Sequence, residues 1–141
     1  LAERAVHLTN INDQGMVVGR ITVRGKRQAY LFIPGEGEQV LRPLPGDVSC
    51  EAMDVNNHGT VVGWSDDPPG PEGGTQAFLW RKGEQMPLPL PAEAVHSSAL
   101  TITDDERVGG WLYWQESPED LGQNCSFLLR LDSQAEERAK H

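Results

Sequence analysis

The chain has 141 residues, with 12 Lys and Arg against 21 Asp and Glu, for a formal net charge of −9. This balance argues against nucleic-acid binding, because phosphate recognition depends on clustered cationic side chains. Hydrophobic residues make up 38% of the chain and occur in runs too short to cross a membrane.

The first third of the chain alternates short apolar runs with turn-forming residues. Strands are predicted at Val6–Ile11, Met16–Val23, Gln28–Ile33 and Glu38–Leu44. Between the first two strands, Asn12 can hydrogen-bond its own main chain and Gly15 supplies a positive φ without steric hindrance, so a tight hairpin is expected there.

The same order returns twice. The second copy predicts strands at Glu51–Val55, Thr60–Ser65, Thr75–Arg81 and Glu84–Leu88, with a Pro/Gly-rich excursion from Asp66 to Gly74. The third copy predicts strands at Ala99–Ile102, Arg107–Trp114 and Cys125–Leu131, with a long loop over Gln115–Gln123 and no fourth strand. Each copy therefore begins with a strand that leads into a similar turn.

The repeat length selects the fold class. Ile11, Val55 and Ile102 mark equivalent points, 44 and 47 positions apart, and such periods are typical of four-stranded propeller blades or of helical solenoids. The 15 Gly and 10 Pro between the apolar runs exclude helical repeats. We predict an all-β protein of three consecutive antiparallel blades of a β-propeller-like fold. It forms one domain over residues 1–132, with repeats at about 5–49, 50–97 and 98–132, followed by a polar tail at 133–141.

Glycines inside the second strands leave two explanations open. Gly19, Gly63 and Gly110 either accompany a β-bulge or permit close backbone packing at the propeller axis. Three blades also leave sheet faces uncovered, because known rings close with roughly four to eight blades. Closure could come from a homodimer forming a six-bladed ring, from the remainder of a longer propeller, or from an open or triangular arrangement. A segment such as Leu1–Val6 could add to the edge of the third blade.

The repeat unit resembles a known family. Val55-Asn-Asn-His-Gly-Thr-Val-Val-Gly63 and Gln76-Ala-Phe-Leu-Trp80 are similar to bacterial repeats named for a His-Ala-Phe triplet. The resemblance covers most of residues 5 to 131 and weakens in the third repeat, where Thr103, Glu106 and Ser126 replace the usual Asn, Gly and Ala. It implies a propeller fold and an extracellular or cell-envelope location, although cytoplasmic residence is not excluded, and it implies no reaction. Gln28 and Gln76 stand at the His position, so no role of that His carries over.

Aromatic residues near strand ends are the candidate ligand contacts. Trp64 and Trp111 occupy equivalent positions, for which Arg20 is the counterpart in the first repeat, and Trp114 and Tyr113 lie beside a long loop. Indole rings stack on sugars and anchor protein partners, so these residues either line repeated pockets or fill gaps between blades. Trp80 belongs to the regular aromatic run and is expected in the core.

Other chemistry is poorly supported. The carboxylate pairs at 66–67, 104–105 and 119–120 are interpreted as solvated turn acids, and the sequence contains no nucleophile, phosphate-loop or zinc motif. A partial calcium loop begins at Asp54 but has Ser65 at its twelfth position, so we expect neither a metal nor another cofactor. Cys50 and Cys125 are interpreted as small buried thiols without a disulfide.

The sequence thus predicts a non-enzymatic binding module of propeller type. A carbohydrate-binding lectin that uses the repeated Trp positions is the first alternative, and a hydrolase or other enzyme with a loop-borne carboxylate site is the second.

Overall fold

The computed structural model describes residues 4–67, 74–117, 119 and 121–131, and within these ranges the chain forms strands and no helix. The strands are β1 (Arg4–Ile11), β2 (Val17–Val23), β3 (Lys26–Ile33), β4 (Gly37–Leu41), β5 (Ser49–Val55), β6 (Val61–Asp66), β7 (Thr75–Arg81), β8 (Glu84–Pro87), β9 (Ala94–Ile102), β10 (Arg107–Trp114) and β11 (Gln123–Arg130). A strand occupies every segment for which one was predicted.

The strands form three separate antiparallel sheets, which we call blades 1, 2 and 3. Blade 1 has the order β1-β2-β3-β4, blade 2 has β5-β6-β7-β8, and blade 3 has β9-β10-β11. The prediction of three consecutive β-blades is confirmed, and blade 3 has three strands among the described residues. The polar tail at 133–141, residues 68–73 of the Pro/Gly-rich excursion and the extreme amino terminus lie outside these residues.

Two strand boundaries differ from the sequence prediction by more than two residues. Strand β9 begins at Ala94 rather than Ala99, because its first residues pair with β10 and the Ser97 hydroxyl bonds to blade 2. Strand β4 ends at Leu41, shortly before Pro43, which has no backbone N–H to continue a ladder.

A bulge in the first strand of each blade explains the glycine that recurs in the second. The register shifts between Leu8 and Asn10 in β1 and between Ala52 and Asp54 in β5, and the third blade repeats this shift opposite Gly110. A Cβ atom would lie 1.9–2.0 Å from a carbonyl oxygen of the first strand at Gly19, Gly63 and Gly110. The approaching backbone belongs to the same blade, so the bulge is the correct explanation.

The blades stack in sequence order. Strand β5 packs against β1, β2 and β3, and β9 packs in the same way against β5, β6 and β7. One hydrophobic core lies between blades 1 and 2 and includes Val18, Leu31, Val61 and Phe78, with Trp80 packed against it as expected. A second core lies between blades 2 and 3. Each blade therefore buries its apolar face against a neighbour, as repeat proteins do.

No segment of the described chain forms a helix capable of spanning a membrane.

Adjacent glycines in β10 provide a test of the bulge. Gly110→Ala should destabilise the fold by ~3 kcal/mol or more, because its Cβ would lie 2.0 Å from the Ser98 oxygen. Gly109→Ala should change stability by less than ~1 kcal/mol, since Val18 and Val62 stand at the equivalent position in the other blades. Urea unfolding followed by circular dichroism measures both. Equal losses in the two variants would contradict this explanation.

Candidate functional site

Asn12 and Asn56, at the same position in the first two turns, each join one blade to the next. The Asn12 Oδ1 atom accepts hydrogen bonds from the backbone N–H groups of Gln14 and Met16, and its Nδ2 donates to the Asn56 carbonyl at 2.7 Å. In blade 2, Asn56 repeats this arrangement and donates to the Thr103 carbonyl at 3.0 Å. The amide side chain therefore both closes its own turn and holds the adjacent turn.

A second line of bonds runs along the exposed side of the same turns. The Asp13 N–H donates to Asn57 Oδ1, and the Asn57 N–H donates to Asp104 Oδ1, both at 2.8 Å. The Asn57 Nδ2 atom also donates to the carboxylates of Asp13 and Asp104 at 3.1 and 2.9 Å. The hydrogen bonds that Asn57 donates to Asp104 hold the pKa of this carboxyl below its usual range. One amide thus separates two acids.

Asp54, the first residue of the partial calcium loop, is buried and already bonded. Its two carboxylate oxygens accept bonds from the Asn10 amide, the Val55 N–H, the Thr101 hydroxyl and the Ile102 N–H. Because both oxygens serve the contacts between blades, Asp54 acts here as a junction residue.

Cys50 and Ser97 make equivalent contacts at the two blade junctions. The Cys50 Sγ atom accepts the Ala29 N–H at 3.1 Å, and the Ser97 hydroxyl accepts the Ala77 N–H at 2.9 Å. Burial raises the pKa of the Cys50 thiol to about 11, so it is protonated at neutral pH. Cys50 is buried as expected, but the same expectation for Cys125 is wrong, because that residue lies exposed on the edge strand β11. Both cysteines are free.

The predicted site residues Arg20 and Trp64 meet around one buried acid. Arg20 lies 3.1 Å from the Glu51 carboxylate and Arg27 lies 3.7 Å from it, each measured from guanidinium nitrogen to carboxylate oxygen. The Arg27 guanidinium also lies over the Trp64 ring, 5.5 Å from its centroid. Trp64 therefore takes part in contacts between blades 1 and 2.

The other three predicted site residues lie on β10. Trp111 is 38% exposed, and Trp114 is partly buried at the end of the strand. The Tyr113 ring packs against His96 at 5.7 Å, and its hydroxyl accepts the Gly122 N–H at 3.1 Å. The five predicted residues therefore divide between the first junction and blade 3, and do not surround one common pocket.

Sequence reasoning missed two clefts, one beneath each blade junction. The first has a volume of about 500 Å³ and includes Gln28 and Asp47, and the second has a volume of about 340 Å³ and includes Gln76 and Asp67. Both are lined by the chain that leaves the fourth strand. Their signal in the sequence is the repeated Pro-Leu-Pro at 43–45 and 89–91, together with a Gln at the equivalent positions 28 and 76.

Acidic side chains lie between these clefts. The Ser65 hydroxyl donates to the Asp47 carboxylate at 2.5 Å, while Asp66 accepts bonds from the hydroxyls of Ser49 and Thr75. Burial, followed by the hydrogen bond with Asp67, raises the pKa of Asp47 to about 6. These acids are not simply solvated, although the described residues contain no group of three or more His, Cys, Asp or Glu arranged to hold a metal.

Comparison of the chain with protein-family models, curated proteins and solved structures gave no match.

The Cys50 contact can be tested by exploiting its counterpart in blade 3. Cys50→Ser should change stability by less than ~1 kcal/mol, because Ser97 makes the same bond, whereas Cys50→Val should cost ~2 kcal/mol by leaving the buried Ala29 N–H without an acceptor. Denaturant unfolding of the two variants makes the comparison. Equal stability would show that the Cys50 sulfur contributes only volume.

The acidic cluster predicts a pH dependence of stability. A folded-state pKa of about 6 for Asp47, above its ordinary value of 3.8, means that the fold favours the protonated acid. Stability should therefore fall as pH rises from about 4 to 6 and then level off. Thermal unfolding across this range should show the decline, and Asp47→Asn should reduce it. The exposed Glu84→Gln provides a control for charge and should retain the decline. An unchanged slope in Asp47→Asn would exclude Asp47 as its source.

Proposed function

We propose that this chain is a non-enzymatic binding module of the β-propeller type, which acts through the uncovered faces of its terminal blades. One observation carries this proposal. Positions that are buried where two blades meet are occupied by exposed apolar residues at the two ends of the stack. Val6, Leu8 and Ile11 are exposed along one strand, and a contiguous exposed apolar patch marks an interaction surface. The ligand is therefore another protein surface.

The chemistry of the described polar residues supports a non-enzymatic role. Asp54, Asn56 and Glu51 are buried, and each makes at least one side-chain contact to a neighbouring blade. The Cys50 thiol is buried with a raised pKa, which makes it a poor nucleophile. Catalysis requires such groups to be free to meet a substrate.

The proposal includes completion of the ring and a cellular location. Further blades, supplied by a second copy or by the remainder of a longer propeller, would cover the terminal faces. The resemblance to His-Ala-Phe repeats favours an extracellular or cell-envelope location.

A carbohydrate-binding lectin is the second candidate, and the exposure of Trp111 favours it. An indole that is 38% exposed can stack on a sugar ring. Trp64 is less suited to this role, because Arg27 already covers its ring.

A glycan array separates these two candidates. We expect no specific retention of the wild-type protein, because its exposed aromatic residues do not share one pocket. Trp64→Ala and Trp111→Ala serve as comparisons, with circular dichroism as the control for folding. Glycan binding that Trp111→Ala abolishes without unfolding the protein would overturn the proposal and establish the lectin.

A further inference from the structure

The first strand of blade 1 exposes the face that its counterparts bury. Leu8 is 62% exposed, whereas Ala52 and Ala99 are fully buried at the same position in blades 2 and 3. The same contrast holds along the strand. Val6 is exposed, whereas its counterparts Cys50 and Ser97 in blades 2 and 3 are buried. Ile11 is likewise exposed, whereas its counterparts Val55 and Ile102 are buried.

The last strand of blade 3 exposes the opposite half of the same interface. Leu128 is 73% exposed, whereas its counterparts Leu31 and Leu79 are buried in the two internal cores. Trp111 on the neighbouring strand is the counterpart of Arg20, which reaches forward to Glu51 in the next blade. The exposed face of blade 3 is thus equivalent to the face of blade 1 that packs against blade 2 and to the face of blade 2 that packs against blade 3.

Part of the blade 1 surface is already covered by its own polar groups. Tyr30, the counterpart of Phe78, is buried and donates a hydrogen bond to Glu38 at 2.6 Å. Glu38 also binds Arg4 at 2.6 Å. The uncovered apolar area of blade 1 is therefore concentrated on the first strand, where the internal junctions place β5 and β9.

We propose that a second copy of this chain covers these two faces head to tail, with the Leu8 face of one copy against the Leu128 face of the other. The argument is continuity: the chain forms this junction twice internally, and its two ends are the unpaired halves of a third. Such a contact is heterologous, and it closes into a ring or extends according to the rotation between copies. The inference rests on the proposed function and names its partner.

The junction between copies would be weaker than the internal ones. Thr103 stands where Asn12 and Asn56 donate an amide hydrogen bond to the next turn, so this bond would be missing. Asp104 would approach Asp13 of the second copy without an amide such as that of Asn57 between them. We therefore expect reversible association that depends on protein concentration.

Sedimentation velocity over a wide concentration range tests the apolar contact. The wild type should pass from a 15.5 kDa monomer to a dimer or longer head-to-tail species. Leu8→Gln and Leu128→Gln should each weaken association by roughly tenfold or more, since each removes a buried leucine from the contact. Both residues are exposed in the single chain, so folding should be unaffected. Val48→Gln, at an exposed apolar residue between blades 1 and 2, is the matched control and should associate normally.

Mixing these variants tests the head-to-tail arrangement. A complex of Leu8→Gln with Leu128→Gln contains one intact pair of faces, so mixing should partly restore association. An association that fails to return on mixing, or that is weakened by only one of the two substitutions, would exclude this arrangement.

Thr103→Asn offers a gain of association. The new amide can reproduce the bond that Asn56 makes to the next turn, so the variant should associate roughly threefold to tenfold more tightly. If the wild type and Thr103→Asn both remain monomers at every concentration, the inference is overturned. A monomer that binds no glycan would leave the proposed function standing, whereas a dimer that binds glycan would retain the inference and replace the function.

Discussion

A side-chain amide in each of the first two turns links that turn to the next blade. The oxygen of Asn56 fixes its own turn by accepting two backbone N–H groups, and its nitrogen binds the carbonyl of the following turn. Because the same group does both, the shape of a turn and the position of its neighbour are coupled. Thr103 has no amide at this position, and its hydroxyl bonds within its own turn, so the series of amide bonds ends there among the described residues. The strength of each junction therefore depends on which residue stands at this one position.

This coupling determines which surfaces are available for function. The internal junctions bury polar groups that might otherwise suggest chemistry, including Asp54, Cys50 and Glu51. Large apolar side chains remain accessible at the two ends of the stack, including Leu8 and Leu128. These surfaces underlie our proposal of a binding module, and we expect the acidic clefts to affect stability through Asp47.

The sequence predicts the strands, the blades and the need for glycine at Gly63, because these depend on local patterns that repeat. It does not predict the partners of polar side chains, since pairing across blades depends on three-dimensional proximity. The cation that covers Trp64 and the exposure of Cys125 were missed for this reason. Glu106 shows that a residue can also adopt a backbone conformation that its own type disfavours. It adopts a positive φ of 63° at the position of a glycine, and its carboxylate accepts a bond from the Thr60 hydroxyl, so context overrides local preference.

The distance along the chain between bonded turns has a consequence for biosynthesis. The amide bonds join residues 44 and 47 positions apart, whereas each hairpin closes within a few residues. Hairpins can therefore form as soon as they leave the ribosome, but a blade gains its lateral support only after the following blade has been translated. During this interval the apolar face of blade 1 that will pack against blade 2 stays uncovered, so it is accessible to a chaperone.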